Sequence, residues 1–233
     1  MVKEKILLRI TTKYTKKKNS AFSDNKVIKI KNMYPKLIET ISTFSEDNIS
    51  TERKEVLQTL SQYLKQKIHN NETIRLNFIC THNSRRSHLS QIWAQTMAYH
   101  FGIKNVFCYS GGTEATAMFP KIAETLSSQG FDILKLSEGS NPVYAVKYDQ
   151  NEHPIICFSK EYNHAFNPNN KYGAVVTCNS ADEACPIVFG AEARFPIKYD
   201  DPKAFDGTDE MDAKYSERSL QIGEEMWYVF GQV

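Results

Sequence analysis

At Cys80 the hydrophobic period of the chain changes abruptly. Ile74, Leu76 and Phe78 alternate with Arg75 and Asn77, the period of a strand, whereas Leu89, Ile92, Trp93 and Met97 recur at three- and four-residue intervals, the period of a helix. The turn between the two is Cys80-Thr81-His82-Asn83-Ser84-Arg85-Arg86-Ser87. A strand that feeds a helix through so tight a loop is the building unit of a parallel sheet covered by helices, and such sheets bind ligands beyond the carboxyl ends of their strands.

The rest of the chain continues the alternation. Residues 106–109 read as a second strand, 120–129 as a helix stopped by Gly130, and 174–177 as a buried third strand. A short strand around 195–197 leads to Asp200, Asp201 and Pro202, and a last helix carries Met211, Tyr215, Ile222, Met226 and Val229 on one face. Before the first strand, Leu37, Ile38, Ile41 and Phe44 mark one helix with Pro35 in its first turn. Val56, Leu57, Leu60, Tyr63, Leu64 and Ile68 mark a second, capped by Ser50 or Thr51, so the two predict a helical hairpin. Residues 143–148 and 155–159 read as the arms of a β-hairpin inserted in the later part of the chain. The expected fold class is therefore three-layer α/β, with a central parallel sheet of about four strands flanked by helices. Residues 1–32 read as a flexible basic arm with Lys16, Lys17 and Lys18 in a row, 33–73 as a helical extension packed on the core, and 74–233 as the catalytic unit with an insert at about 138–172.

The chemistry of the loop follows from its residue types. One thiol stands at the strand end and one guanidinium at the helix start, with five residues between them, so the loop can wrap around a tetrahedral anion. Backbone N–H groups of 81–87 and the positive end of the helix would bind the charge, and the same field favours the ionised sulfur that a nucleophile needs. Arg86 supplies a planar fork for two oxyanion oxygens, Ser87 a hydroxyl donor to Cys80, and Asn83 side-chain hydrogen bonds that hold the loop. Arg85 is expected at the cleft mouth or in solvent, His82 in the loop through its backbone, and His88 exposed on the helix. Cys108 and Cys157 lie inside strand patterns and read as packing residues.

Composition narrows the setting. A chain of 233 residues with 41% hydrophobic content buries an ordinary core, and a net charge of +2 gives no reason to expect nucleic acid or a membrane surface as partner. The apolar run at 6–8 is far too short for a span. Five cysteines without a disulfide-framework spacing suit a reducing compartment, so a cytoplasmic location is expected. Histidines and cysteines show no metal-ligand spacing, and no metal or bound cofactor is expected.

Cys80, Arg86 and Ser87, the stretch Ser110-Gly111-Gly112-Thr113-Glu114 and the dipeptide Asp201-Pro202 together resemble the low-molecular-weight protein tyrosine phosphatases and the thioredoxin-coupled arsenate reductases that share their fold. The resemblance covers residues 74–233 and implies the phosphotyrosine phosphatase I-like architecture. It implies that Asp201 protonates the leaving oxygen. Cys178 and Cys185, in Cys178-Asn179-Ser180-Ala181-Asp182-Glu183-Ala184-Cys185-Pro186, resemble the redox pair of the reductases in spacing and position. That implies a relay in which Cys80 attacks arsenate, Cys178 attacks Cys80 to release arsenite, and Cys185 attacks Cys178 to present a disulfide to a thioredoxin-like reductant, from a mobile surface loop. The alternative is hydrolysis of a phosphotyrosine or other phosphoester through a phosphocysteine. Against it, the adjacent tyrosines of the phosphatases are missing after Asp201-Pro202, where only Phe205 is aromatic. The acidic residue through which one reductase branch holds potassium is replaced by Gln91, and neither the helices before residue 74 nor the inserted hairpin has a counterpart in minimal members.

Overall fold

The computed structural model describes residues 33–184 and 187–233. The lysine-rich arm, and Cys185 with Pro186, lie outside the described residues. Strand β1 (Ile74–Cys80) runs in the middle of a four-stranded parallel sheet, between β2 (Val106–Gly112) and β6 (Tyr172–Val176), with β7 (Ala191–Pro196) beyond β6. Its central place is why β1 is buried along nearly all its length. In register, Cys80 stands beside Gly112 and Ile79 beside Val176, so three carboxyl ends converge where Cys80 emerges.

The expected hairpin exists as β4 (Tyr144–Lys147) and β5 (Ile155–Cys157), antiparallel to each other. A third strand, β3 (Asp132–Lys135), pairs with β4. Sequence alternation gave no sign of β3 because none of its four residues is buried.

Helices α1 (Pro35–Ile41), α2 (Thr51–His69), α3 (Arg86–His100), α4 (Pro120–Ser128), α5 (Asn179–Ala184) and α6 (Met211–Gly231) surround the sheet in three layers. The apolar side of β1 at Ile74, Leu76 and Phe78 shares one core with α1, α2, α3 and α6, while Ile79, Val176 and Ala181 of α5 belong to a smaller cluster. Trp93 on α3 is fully buried, and its indole N–H donates to Ser219 of α6 at 3.0 Å. Ser50 caps α2 as expected, its Oγ accepting the Arg53 N–H at 3.2 Å. Leu57, Leu60 and Leu64 bury completely or nearly so, each contributing about 1.5–3 kcal/mol. Val56 and Ile68, expected on that face, stay exposed, and Ser61 and Lys67 take the buried positions instead. The reason is polar pairing: the Ser61 hydroxyl donates to the Val229 carbonyl, and Lys67 reaches Glu72 and Glu192. Arg53 ties α2 to α6 by a two-pronged contact with Glu225. Residues 33–73 are thus part of the main core. No helix of the described residues is long and apolar enough to cross a membrane.

Gly223 on α6 marks the tightest helix contact, since an added Cβ there would lie 2.8 Å from the Trp93 ring and 2.9 Å from Phe44. Gly223→Ala should therefore destabilise the fold by about 1–3 kcal/mol in urea titration. An unchanged midpoint would mean that Trp93 and Phe44 move aside freely.

Candidate active site

Residues 81–85 join β1 to α3, and the carbonyls of Cys80, Thr81, His82 and Ser84 turn outward. The Cys80 carbonyl accepts the Thr113 N–H at 3.1 Å, the Thr81 carbonyl the Glu114 N–H at 2.9 Å, and the Ser84 carbonyl the Phe119 N–H at 3.0 Å. The His82 carbonyl accepts the Thr116 and Ser159 hydroxyls at 3.1 and 2.9 Å. By contrast, the N–H groups of residues 81–86 donate to no partner among the described residues. Outward carbonyls leave these donors to the concave side, which is the arrangement of an anion nest at a helix start.

Two sequence features make the loop possible. Asn83 adopts φ 43°, a left-handed conformation that asparagine tolerates. Gly112 admits the loop backbone, since a Cβ there would stand 2.6 Å from the Thr81 carbonyl oxygen and 2.7 Å from the Asn83 nitrogen. Gly111 likewise faces the Tyr162 Cα, 2.3 Å from where its Cβ would be. The Ser110–Glu114 stretch is therefore a docking strip for the loop.

Cys80 is 3% exposed, with its Sγ 3.1 Å from the Ser87 Oγ. Asn83 Nδ2 donates to that same Oγ at 2.8 Å, and Asn83 Oδ1 accepts the Lys160 N–H at 2.9 Å, which fixes the amide's orientation. Ser87 has one hydrogen and receives one from Asn83, so its own is left for the sulfur. The contacts expected of Ser87 and Asn83 are present.

Arg86 lies across the mouth of the loop. Its Nη2 donates to Asp201 Oδ2 at 2.6 Å and its Nη1 to the Tyr199 carbonyl at 3.0 Å, while the buried Nε has no hydrogen-bond partner among the described residues. An oxyanion held by the nest would satisfy Nε and compete with Asp201 for the fork. Asp201 is itself held, its Oδ1 accepting the Lys203 N–H at the start of the turn Pro202–Phe205.

Arg85 is not at the cleft mouth or in solvent. Its side chain is 11% exposed, stacked on the Phe119 ring, and donates to Asp206 and Tyr215. These contacts clamp α6 to the loop and place Arg85 in a structural position. His88 is likewise fully buried, not exposed, with Nδ1 3.2 Å from the Ser110 hydroxyl. Burial, helped by the nearby Lys160 charge, pushes its pKa down to about 3, so it is neutral. The helix begins at the sheet's carboxyl edge, and its first turn faces inward on more sides than period alone implies.

Cys178 follows β6 and is 1% exposed. Its sulfur lies 3.5 Å from the Thr81 hydroxyl and accepts the Ala181 N–H at 3.4 Å, so it caps α5. Cys80 and Cys178 share one apolar cluster with Ile79, Val176 and Ala181. The segment expected as a mobile loop is helical over Asn179–Ala184, with Asp182 tied to Arg194 and Lys198. Cys185 falls outside the described residues. Cys108 and Cys157 are buried in strands as expected, and burial pushes the Cys157 thiol up to about 12 and Cys108 higher still. Gln91 is occupied by the Cys108 carbonyl at 3.1 Å.

Sequence reasoning missed Ser159 and Lys160. Both belong to the insert, yet Ser159 holds the His82 carbonyl and Lys160 holds Asn83. Gly112 donates to the Lys160 carbonyl at 2.8 Å and accepts from the Tyr162 N–H at 2.8 Å, so the segment adds a parallel bridge at the end of β2. Lys160 is 2% exposed, its Nζ donating to the Phe158 carbonyl at 3.2 Å and lying over the Phe158 and Phe166 rings. Burial pushes its pKa down to about 8. The only signal in the sequence was the pair of phenylalanines near a lysine that otherwise looks solvated.

No protein-family model matches the chain, and no curated protein does. Among solved structures, a low-molecular-weight phosphotyrosine phosphatase from Vibrio cholerae matches at 14% identity over 67% of this chain and 93% of its own, with a TM-score of 0.42. An arsenate reductase from Archaeoglobus fulgidus matches at 17% identity over 67% and 98%, TM-score 0.39. An arginine phosphatase matches at 13% identity over 68% and 95%, TM-score 0.44.

The buried lysine yields a stability prediction with a definite sign. Its folded pKa lies below the ordinary 10.5, so the cost of the buried ammonium is full below pH 8, shrinks as pH rises through 8, and vanishes near 10.5. Lys160→Met should be more stable than the wild type by up to about 3 kcal/mol near neutrality. That advantage should narrow above pH 8, as followed by chemical denaturation. A constant difference at all pH values would contradict it.

Proposed function

We propose that the chain is an arsenate reductase of the low-molecular-weight phosphatase type, using Cys80, Cys178 and Cys185 in turn. The observation that carries this reading is the Cys178 sulfur, 3.5 Å from the Thr81 hydroxyl of the anion loop and in one apolar cluster with Cys80. A hydrolase has no use for a second thiol at that point.

Arsenate, held by the loop N–H groups and Arg86, is attacked by the Cys80 thiolate. A sulfur–arsenic bond forms and one arsenate oxygen leaves as water, its proton supplied by Asp201 or solvent. The Cys178 thiolate then attacks Cys80 Sγ. A disulfide forms, the sulfur–arsenic electron pair stays on arsenic, and As(III) leaves as arsenite. Attack of Cys185 on Cys178 frees Cys80 and passes the disulfide outward, where a thioredoxin-like dithiol reduces it. Because Cys178 caps α5, the second step requires α5 to loosen, and α5 is short with its sulfur cap replaced in the product.

A second reading has its own support in the Asp201–Arg86 contact, which stations a carboxyl group at the mouth of the site, where a phosphoester's leaving oxygen would need a proton. In this reading water resolves a phosphocysteine on Cys80, and the physiological substrate is a phosphoester.

Two variants separate the readings. Cys178→Ser should retain hydrolysis of an aryl phosphate but lose multiple-turnover arsenite release with thioredoxin and its reductase. Sustained release by that variant would remove the relay. Asp201→Asn should lower aryl-phosphate hydrolysis by about a hundredfold or more if Asp201 is the general acid. If the wild type hydrolyses no faster than Cys80→Ser, the phosphatase reading fails.

A further inference from the structure

Lys160 is a fully buried cation that no step above uses. Among the described residues it makes no ion pair, and the contacts of its ammonium are one neutral carbonyl, that of Phe158 at 3.2 Å, and two ring faces, with Nζ 4.4 Å from the Phe158 centroid and 5.4 Å from that of Phe166. An ammonium has three donors, and leaving such a charge unpaired in the interior costs several kcal/mol. The groups that face it do not compensate: His88 from α3 is neutral, Cys157 from β5 is a buried neutral thiol, and Ser110 from β2, hydrogen-bonded to His88, is uncharged. Yet its backbone N–H grips Asn83, which in turn holds Ser87 against Cys80. The residue that carries the buried charge is thus hydrogen-bonded, through its main chain, to the loop whose free N–H groups would collect negative charge.

We propose that Lys160 is a positioning residue of the oxyanion site: its main chain fixes Asn83, and its buried ammonium supplies a positive charge behind the loop that a bound dianion neutralises. The proposal rests on the loop being an oxyanion site and holds for reduction and hydrolysis alike.

Sulfate is the probe, because it remains a tetrahedral dianion across the range tested. The full chain carrying Cys80→Ser, which removes the nucleophile's own titration, is titrated with sulfate by calorimetry from about pH 7 to about pH 9.5. Affinity should fall roughly tenfold or more as pH rises through about 8 and the ammonium loses its charge, the order of magnitude of a charge–dianion interaction at an effective dielectric of about 20. Adding Lys160→Met should lower the affinity by about the same factor at pH 7 and flatten its pH dependence, without lowering the melting temperature. Lys160→Arg should keep the affinity across the range. Equal affinity and an equal pH profile with and without Lys160→Met would overturn the proposal, as would a pH-independent loss accompanied by a lower melting temperature. Absence of sulfate binding to the Lys160-bearing protein would overturn the oxyanion site itself, an outcome distinct from failure of Lys160.

Discussion

The site depends on where residues 80–84 send their backbone carbonyls. Each accepted hydrogen bond on the outer side, from Thr113, Glu114, Thr116, Phe119 and Ser159, holds one peptide unit in an orientation that turns an N–H inward. The partners come from two distant parts of the chain, the strip after β2 and the insert before β6. Without them the loop would satisfy its own N–H groups in a turn, and no anion nest would remain. Gly111 and Gly112 matter for the same reason, since side chains there would hold the loop and the insert away from β2.

Around this frame the electrostatics are arranged in opposition. Arg86 carries a permanent charge but is engaged by Asp201, so under the proposed function an incoming anion would exchange partners on the guanidinium and free the carboxyl group. Lys160 carries a charge that burial disfavours and that no carboxylate among the described residues offsets. His88, buried, neutral and beside Ser110 of β2, adds no further positive charge. On the proposal made above, the fold accepts an unfavourable buried charge where a bound anion would offset it, a pattern expected where stability is spent on binding.

The second thiol adds a conformational requirement. Cys178 lies two residues beyond Val176, the last residue of β6 and the partner of Ile79, which brings it to the loop's first residue. It also caps α5, and the capping contact competes with any bond to another sulfur. Asp182, drawn below the usual carboxylate range by Lys198 and Arg194, anchors that helix to β7 and the residues after it. In the proposed relay, the chemistry and the local stability of the helix would be coupled through one sulfur atom.

Local pattern determined a good deal. The strand-to-helix change at Cys80, the Cys80–Arg86 spacing, the helical faces and the hairpin arms were all legible, because period and turn chemistry are properties of neighbouring residues. The contacts among Asn83, Ser87 and Cys80 were legible as well, all three lying within the same loop. The tertiary structure alone decided the rest. Arg85 and Arg86 are adjacent and chemically alike, yet one clamps α6 and the other lies across the loop mouth on Asp201, because a helix start turns successive side chains about 100° apart. His88, Ser159 and Lys160 look like solvent-facing residues in the sequence. Their burial follows from the insert folding back across the end of β2, a long-range contact that no local period encodes.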